Sequence, residues 1–299
     1  MEENQQNQII IDSEEQKRVD NLPYRIPSAL RHILDGFKWA ITKKNQSAVM
    51  IVDGRSGMGK TTLSLQCAKY MSPDFSLKDV YFSPEKFLEG LANTEKGTRK
   101  TLVFDEAMLL SSRAALSAMN RMIVIAMSMI RSKNLFIIFK VNSIFDLDRN
   151  LALSRADLLL HCYGESLTDK GKFLAFFKGA DGIDRIKELY IHGKKFYSYG
   201  YPKSNFNTTF SSEFVVDEDE YERLKQIGVN KFLKGQKNSE NTKYKLQRNA
   251  LFKIIREKID ITYQELEKLL NEKGVKLNFS QISRICNEKE SNFGNFEDI

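Results

Sequence analysis

Gly54-Arg55-Ser56-Gly57-Met58-Gly59-Lys60-Thr61 decides the fold, because it fits G-x-x-x-x-G-K-[ST] at every fixed position. An apolar run, 48–52, enters it, and a helix-forming stretch, 60–71, leaves it. Glycines suit such a loop because backbone N–H groups must curl around an anion's oxygens, and a Cβ would block that approach. The pattern predicts a phosphate-binding loop made by Gly54, Arg55, Ser56, Gly57, Met58, Gly59, Lys60, Thr61 and Thr62. Lys60 would reach the β and γ phosphates of a bound ATP, and the Thr61 hydroxyl would ligate Mg²⁺. The N-terminus of the helix that follows adds partial positive charge. A glycine-rich turn matching by chance is the competing explanation, and the flanking strand and helix weigh against it.

Working outward, Thr101-Leu102-Val103-Phe104 runs straight into Asp105-Glu106, which places two carboxylates at the carboxyl end of a strand. Ligands bind at that edge in open α/β sheets. Asp105 would hold Mg²⁺ and Glu106 would activate the attacking water, although the pair could also simply open the next helix. Another apolar strand, 135–141, ends at Asn142, whose amide could bond the γ-phosphate or the lytic water; Asn is also a common turn residue there. Arg155 and Arg131 are candidates to complete the site of a neighbouring copy, Arg155 with the alternative of pairing locally with Asp157.

Strand-like and helix-like stretches alternate along the first half of the chain. Helix spacing runs over 28–43 with Leu30, Ile33, Leu34, Phe37 and Ala40 on one face, and Ser83 is placed to cap a helix over 84–91. A strand at 80–82, a helix over 113–130 and a strand at 158–163 complete the alternation. It predicts an α/β fold: a mostly parallel sheet flanked by helices. From Gly171 the runs 173–178, 188–192 and 195–201 are short, aromatic and glycine-punctuated, which reads as a β-hairpin extension, with 203–212 looping over the surface. Asp217–Glu220 would open a helix, and 234–243 would be a linker. The expected divisions are a mobile acidic tail at 1–20, a core with its extension at 21–212, a helix and linker at 213–243, and a small all-α domain at 244–290.

Composition excludes several classes. The 299 residues are 41% hydrophobic and 28% charged, as in ordinary globular proteins rather than disordered chains. Three scattered cysteines, Cys67, Cys162 and Cys286, form no CxxC pair, which argues against a disulfide framework or zinc knuckle. No apolar run is long enough for a transmembrane helix, and the polar, acidic start is unlike a signal peptide, so a cytoplasmic setting is expected. The net charge of +7 resolves into −4 over 1–20, +11 over 21–212, −5 over 213–220, +7 over 221–290 and −2 at the end. Two basic segments are thus separated by an acidic one, which leaves two candidate surfaces for nucleic acid.

In the C-terminal part, Leu246, Ala250, Ile254 and Ile255 would line one helix, Leu266, Leu269 and Leu270 a second, and Phe279, Ile282 and Ile285 a third capped by Asn278. The run 261–285 reads as a helix-turn-helix, whose recognition helix would present Asn278, Ser280, Gln281, Ser283 and Arg284 to DNA. A small bundle for subunit or protein contacts is the alternative.

The loop, the sequence LVFDEAM, the strand RSKNLFIIF and the extension after Tyr163 resemble the additional-strand, catalytic-glutamate group of P-loop ATPases, above all its FtsK/HerA-like and zonular-occludens-toxin-like members. The resemblance covers roughly 47–163 and implies Mg-dependent ATP hydrolysis by a homo-oligomer, a hexamer being one such assembly, that moves or packages DNA for a virus, plasmid or integrative element. Asn142 and the segment LDRNLALSRAD are instead similar to AAA+ proteins, which leaves open an ATP-gated DNA-binding adaptor for partition or replication initiation. A signalling NTPase with a protein-docking C-terminal module is the third alternative.

Overall fold

The computed structural model describes residues 22–105, 130, 133–147, 149–166, 168–228, 230, 261–272 and 277–287. These divide into two compact units, Met1–Val229 and Asn230–Ile299.

The first unit is built on one seven-stranded sheet. In chain order its elements are α1 (Ser28–Lys43), β1 (Ala48–Gly54), α2 (Lys60–Met71), β2 (Val80–Tyr81), α3 (Pro84–Asn93), β3 (Thr101–Asp105), β4 (Phe136–Lys140), α4 (Arg149–Ser154), β5 (Leu158–Tyr163), β6 (Lys172–Phe176), α5 (Arg185–Gly193) and β7 (Phe206–Thr209). The strands lie in the order β2-β3-β4-β1-β5-β6-β7. The pairs from β2 through β5 are parallel, and β5–β6 and β6–β7 are antiparallel. The expected α/β architecture is therefore present, with β4 inserted between β1 and β3.

Every residue of β1, β3 and β4 is buried, as parallel strands covered on both faces require. Strand alternation assigns the faces. Met50, Val52, Val103 and Ile138 share a core with Leu30 and Leu34 of α1 and Leu63 and Cys67 of α2. On the opposite face Phe104 and Phe139 pack against Phe87 of α3, with ring centroids 5.3 and 5.7 Å away. The Ser83 hydroxyl accepts the Lys86 N–H at 3.3 Å, the cap expected for α3.

The extension differs from a run of hairpins. Residues 185–193 form the helix α5, not a strand, because the Asp184 carboxylate accepts the Lys187 N–H at 3.1 Å and Ile186, Leu189 and Tyr190 bury one helical face. No strand forms over 195–201, whereas the Asn/Thr-rich stretch expected to loop over the surface supplies the edge strand β7. A helical stretch over 218–228 begins where Asp217 caps it by accepting the Glu220 N–H at 2.9 Å. It belongs to the first unit, which runs to Val229.

In the second unit, α6 (Tyr263–Glu272) and α7 (Phe279–Asn287) pack through buried Leu266 and Ile282. Leu269 and Phe279, expected inside, are 50% and 45% exposed. The tail at 1–20, almost all of the helix expected over 113–130, the linker and the first C-terminal helix lie outside the described residues.

Candidate functional site

The predicted loop connects the end of β1 to the start of α2. Gly54, Gly57 and Gly59 adopt φ of +131°, +83° and +87°. At Gly54 the reason is steric: a Cβ there would stand 2.9 Å from the Cys162 carbonyl carbon and nearer still to its oxygen, across the β1–β5 pairing. Arg55, Ser56 and Gly57 are exposed, whereas Met58 and Lys60 are buried. α2 starts with no side chain capping it and no acid in its first turn. Its N-terminal N–H groups thus face the loop as donors for an anion.

Parallel register brings the other predicted groups to this edge. Gly54, Asp105 and Lys140 end β1, β3 and β4, and Asn142 lies two residues beyond β4. The Gly54 N–H donates to the Asn142 carbonyl at 3.1 Å. The Lys60 ammonium folds back on the loop, donating to the Gly54 carbonyl and, at 3.5 Å, to Asn142 Oδ1. Burial lowers the Lys60 pKa from its ordinary value, helped by the nearby positive charge of Lys140. Lys60, Asp105 and Asn142 thus gather at one edge of the sheet, beside Thr61 in the first turn of α2.

Two residues that sequence reasoning passed over complete this group. Asp105 pairs across the register with Lys140, and both stand on the α2 face of the sheet. The Lys140 ammonium donates to Thr61 Oγ1 at 2.9 Å and ion-pairs with one Asp105 oxygen. The Tyr221 hydroxyl, from 218–228, donates to the other Asp105 oxygen. Threonine hydroxyl and carboxylate are suitable donors for Mg²⁺, but Lys140 and Tyr221 engage them, so the pocket in this form does not fit the ion. A lysine closing the apolar run FIIFK was the available signal for Lys140; Tyr221 offered none.

The stretch that precedes 218–228, at 210–213, packs against the loop and α2 at two further points. The Phe210 ring lies 2.7 Å from where a Cβ on Gly59 would stand. The buried Gln66 amide of α2 donates to the Ser211 and Glu213 carbonyls at 3.0 and 2.8 Å. On the opposite sheet face, fully buried Asp53 accepts from the Ile144 N–H at 2.7 Å, from the Tyr199 hydroxyl, and pairs with His161 at 2.8 Å.

The remaining candidates are more dispersed. Glu106 and Arg131 lie outside the described residues, Glu106 directly after the last residue of β3. Arg155 follows α4, and among the described residues no ion pair joins it to Asp157, whose carboxylate instead accepts the Val49 N–H at 2.8 Å. In the second unit Asn278 and Gln281 form a reciprocal cap at the start of α7. Asn278 Oδ1 accepts the Gln281 N–H at 2.9 Å, and Gln281 Oε1 accepts the Asn278 N–H at 3.1 Å. Ser280 is exposed and Ser283 half-buried, and the Arg284 side chain lies outside the described residues.

No family model matches the chain, and no curated protein matches it. Among solved structures it is similar to one described as the crystal structure of the FIGL-1 AAA domain in complex with ADP. Identity there is 10% and the TM-score 0.32, over 52% of this chain. The match spans 63% of that structure's length. Among the described residues no helix is long and apolar enough to cross a membrane.

Proposed function

We propose that the first unit binds ATP on the loop at 54–62 and hydrolyses it. One observation carries this: an uncapped helix N-terminus and a glycine loop meet Lys60, Asp105 and Asn142 at the carboxyl edge of three adjacent parallel strands. Backbone N–H groups of 55–61 take phosphate oxygens, and Lys60 exchanges the Gly54 carbonyl and Asn142 for the terminal phosphates. Glu106 orients and deprotonates the attacking water, and Asn142 bonds the γ-phosphate or that water. The strand β4 between β1 and β3 supports membership of the additional-strand, catalytic-glutamate group.

In this reading Arg155 or Arg131 of a neighbouring copy completes the pocket in a homo-oligomer, and the second unit binds DNA as a helix-turn-helix through Asn278, Ser280, Gln281, Ser283 and Arg284. ATP turnover would then drive DNA movement or loading. Asn142 beside Lys60 favours the second reading, an ATP-gated DNA-binding adaptor.

Turnover by the wild-type chain, Lys60→Ala and Glu106→Gln, with and without DNA, tests the proposal. Lys60→Ala should lose activity by about a hundredfold or more, and Glu106→Gln should retain bound ATP without hydrolysing it. Wild-type turnover by either variant would overturn the assignment of that residue. DNA that neither binds nor stimulates would remove the DNA part and leave the ATPase standing.

A further inference from the structure

Two ammonium groups, not one, are buried at the edge of this sheet. Lys60 is 8% exposed and the Lys140 side chain 5%. Lys140 stands between Thr61 and Asp105, the two groups the sequence assigns to a divalent cation, and makes contact with both. Register puts it there: Asp105 and Lys140 are direct neighbours across β3 and β4, and α2 carries Thr61 over the same face.

Among the described residues, two buried ammonium groups at this edge meet one directly paired carboxylate. Asp105 answers Lys140, whereas Asp53 is committed on the opposite face to His161, Tyr199 and the Ile144 N–H. Among the described residues no carboxylate stands at ion-pair distance from Lys60. Asp53 and Asp105 favour the charged form of Lys60 through space, but burial and the like charge of Lys140 outweigh them and lower its pKa. The pocket is therefore matched to a polyanion that meets both lysines and the N–H groups of the loop. A pocket built around a metal ion would place neutral or negative groups at the cation position; this one places the ammonium of Lys140 there.

We propose that Lys140 is the built-in counter-cation of this pocket, so that the triphosphate of a nucleotide binds without a divalent ion, its charge met by Lys60 and Lys140 together. The proposal rests on the loop being a nucleotide site, as argued above. Lys140 then turns from Thr61 and Asp105 toward phosphate oxygens while remaining within the edge formed by β3, β4 and α2.

The test is calorimetric titration of ATP into the full chain, once in EDTA and once in Mg²⁺, for the wild type, Lys140→Met and Lys140→Arg. The wild type should bind in EDTA within about threefold of its affinity in Mg²⁺. Lys140→Met should lose about tenfold or more in EDTA and recover in Mg²⁺, because Thr61 and Asp105 become open to the ion, and Lys140→Arg should retain binding in EDTA. Wild-type binding only in Mg²⁺, or Lys140→Met binding in EDTA as tightly as the wild type, would overturn the proposal and leave the nucleotide site intact. Absence of binding in both buffers would overturn the nucleotide site itself. If Lys140→Met does not fold, the wild-type comparison of EDTA with Mg²⁺ decides alone.

Discussion

Replacing Gly54 by alanine tests whether the loop and the central sheet are one mechanical object. The new methyl would stand 2.9 Å from the Cys162 carbonyl carbon, where carbon atoms pack best at about 3.5 Å or more. The carbonyl oxygen is nearer still and sets the limit, so strands β1 and β5 must part by about an ångström or more at the Gly54–Cys162 pair. Forcing a methyl into a packed position costs about 1–3 kcal/mol, and holding a residue with a Cβ at φ +131° a further 1–3 kcal/mol or so. The sum, about 2–6 kcal/mol, is a large share of the roughly 5–15 kcal/mol that keeps a domain folded. A fall in melting temperature of roughly 5–20 °C follows for a unit of this size. The control is Gly57→Ala, which has positive φ but nothing within 4 Å of the added methyl. It should cost only the backbone strain, about 1 kcal/mol. Thermal and urea melts of the three proteins decide the matter. A Gly54→Ala variant as stable as Gly57→Ala would show that the close approach of β1 and β5 is not what requires glycine.

Tyr221→Phe removes a hydroxyl that donates to buried Asp105, and urea denaturation should show a loss of about 1–3 kcal/mol. Gln66→Ala strips the donors from two carbonyls of the 211–213 segment, and hydrogen exchange there should accelerate before the sheet opens. Cys67 and Cys162 are buried, and burial pushes both thiols above their ordinary pKa, so they should stay unreactive to a thiol reagent at pH 8. Half-buried Cys286 alone should label in the folded protein, and all three after denaturation.

Much of the first unit was legible because its signals are local. The helix bounds at 28–43 and 60–71 and the strand at 158–163 are those observed, since amphipathic spacing and continuous apolar runs are properties of neighbours in sequence. Glu188–His192 misled because its aromatic and β-branched residues suit a strand, whereas an Asp184 cap and burial at Ile186, Leu189 and Tyr190 made a helix. β7 was missed because Phe206–Thr209, though it holds strand formers, is only four residues long and set among Asn and Ser turn residues, and it forms by pairing with β6. At the site, the glycine loop, Lys60, Thr61, Asp105 and Asn142 could be named from motif and strand ends. FIIFK marks Lys140 at a strand end, but its contacts with Thr61 and Asp105, and that of Tyr221 with Asp105, could not be named in advance, because each is joined to its partner by tertiary register across 35 or more residues.

The acidic run that parts the chain by charge does not part it in space. Phe210 lies against the loop, Ser211 and Glu213 are held by α2, and Tyr221 reaches the carboxylate at the end of β3. Any dissection that cuts at residue 212 removes a wall of the pocket along with what looks like a tether. The smallest fragment that carries the whole cluster must continue past Tyr221, so the candidate site depends on the last helical stretch of the first unit.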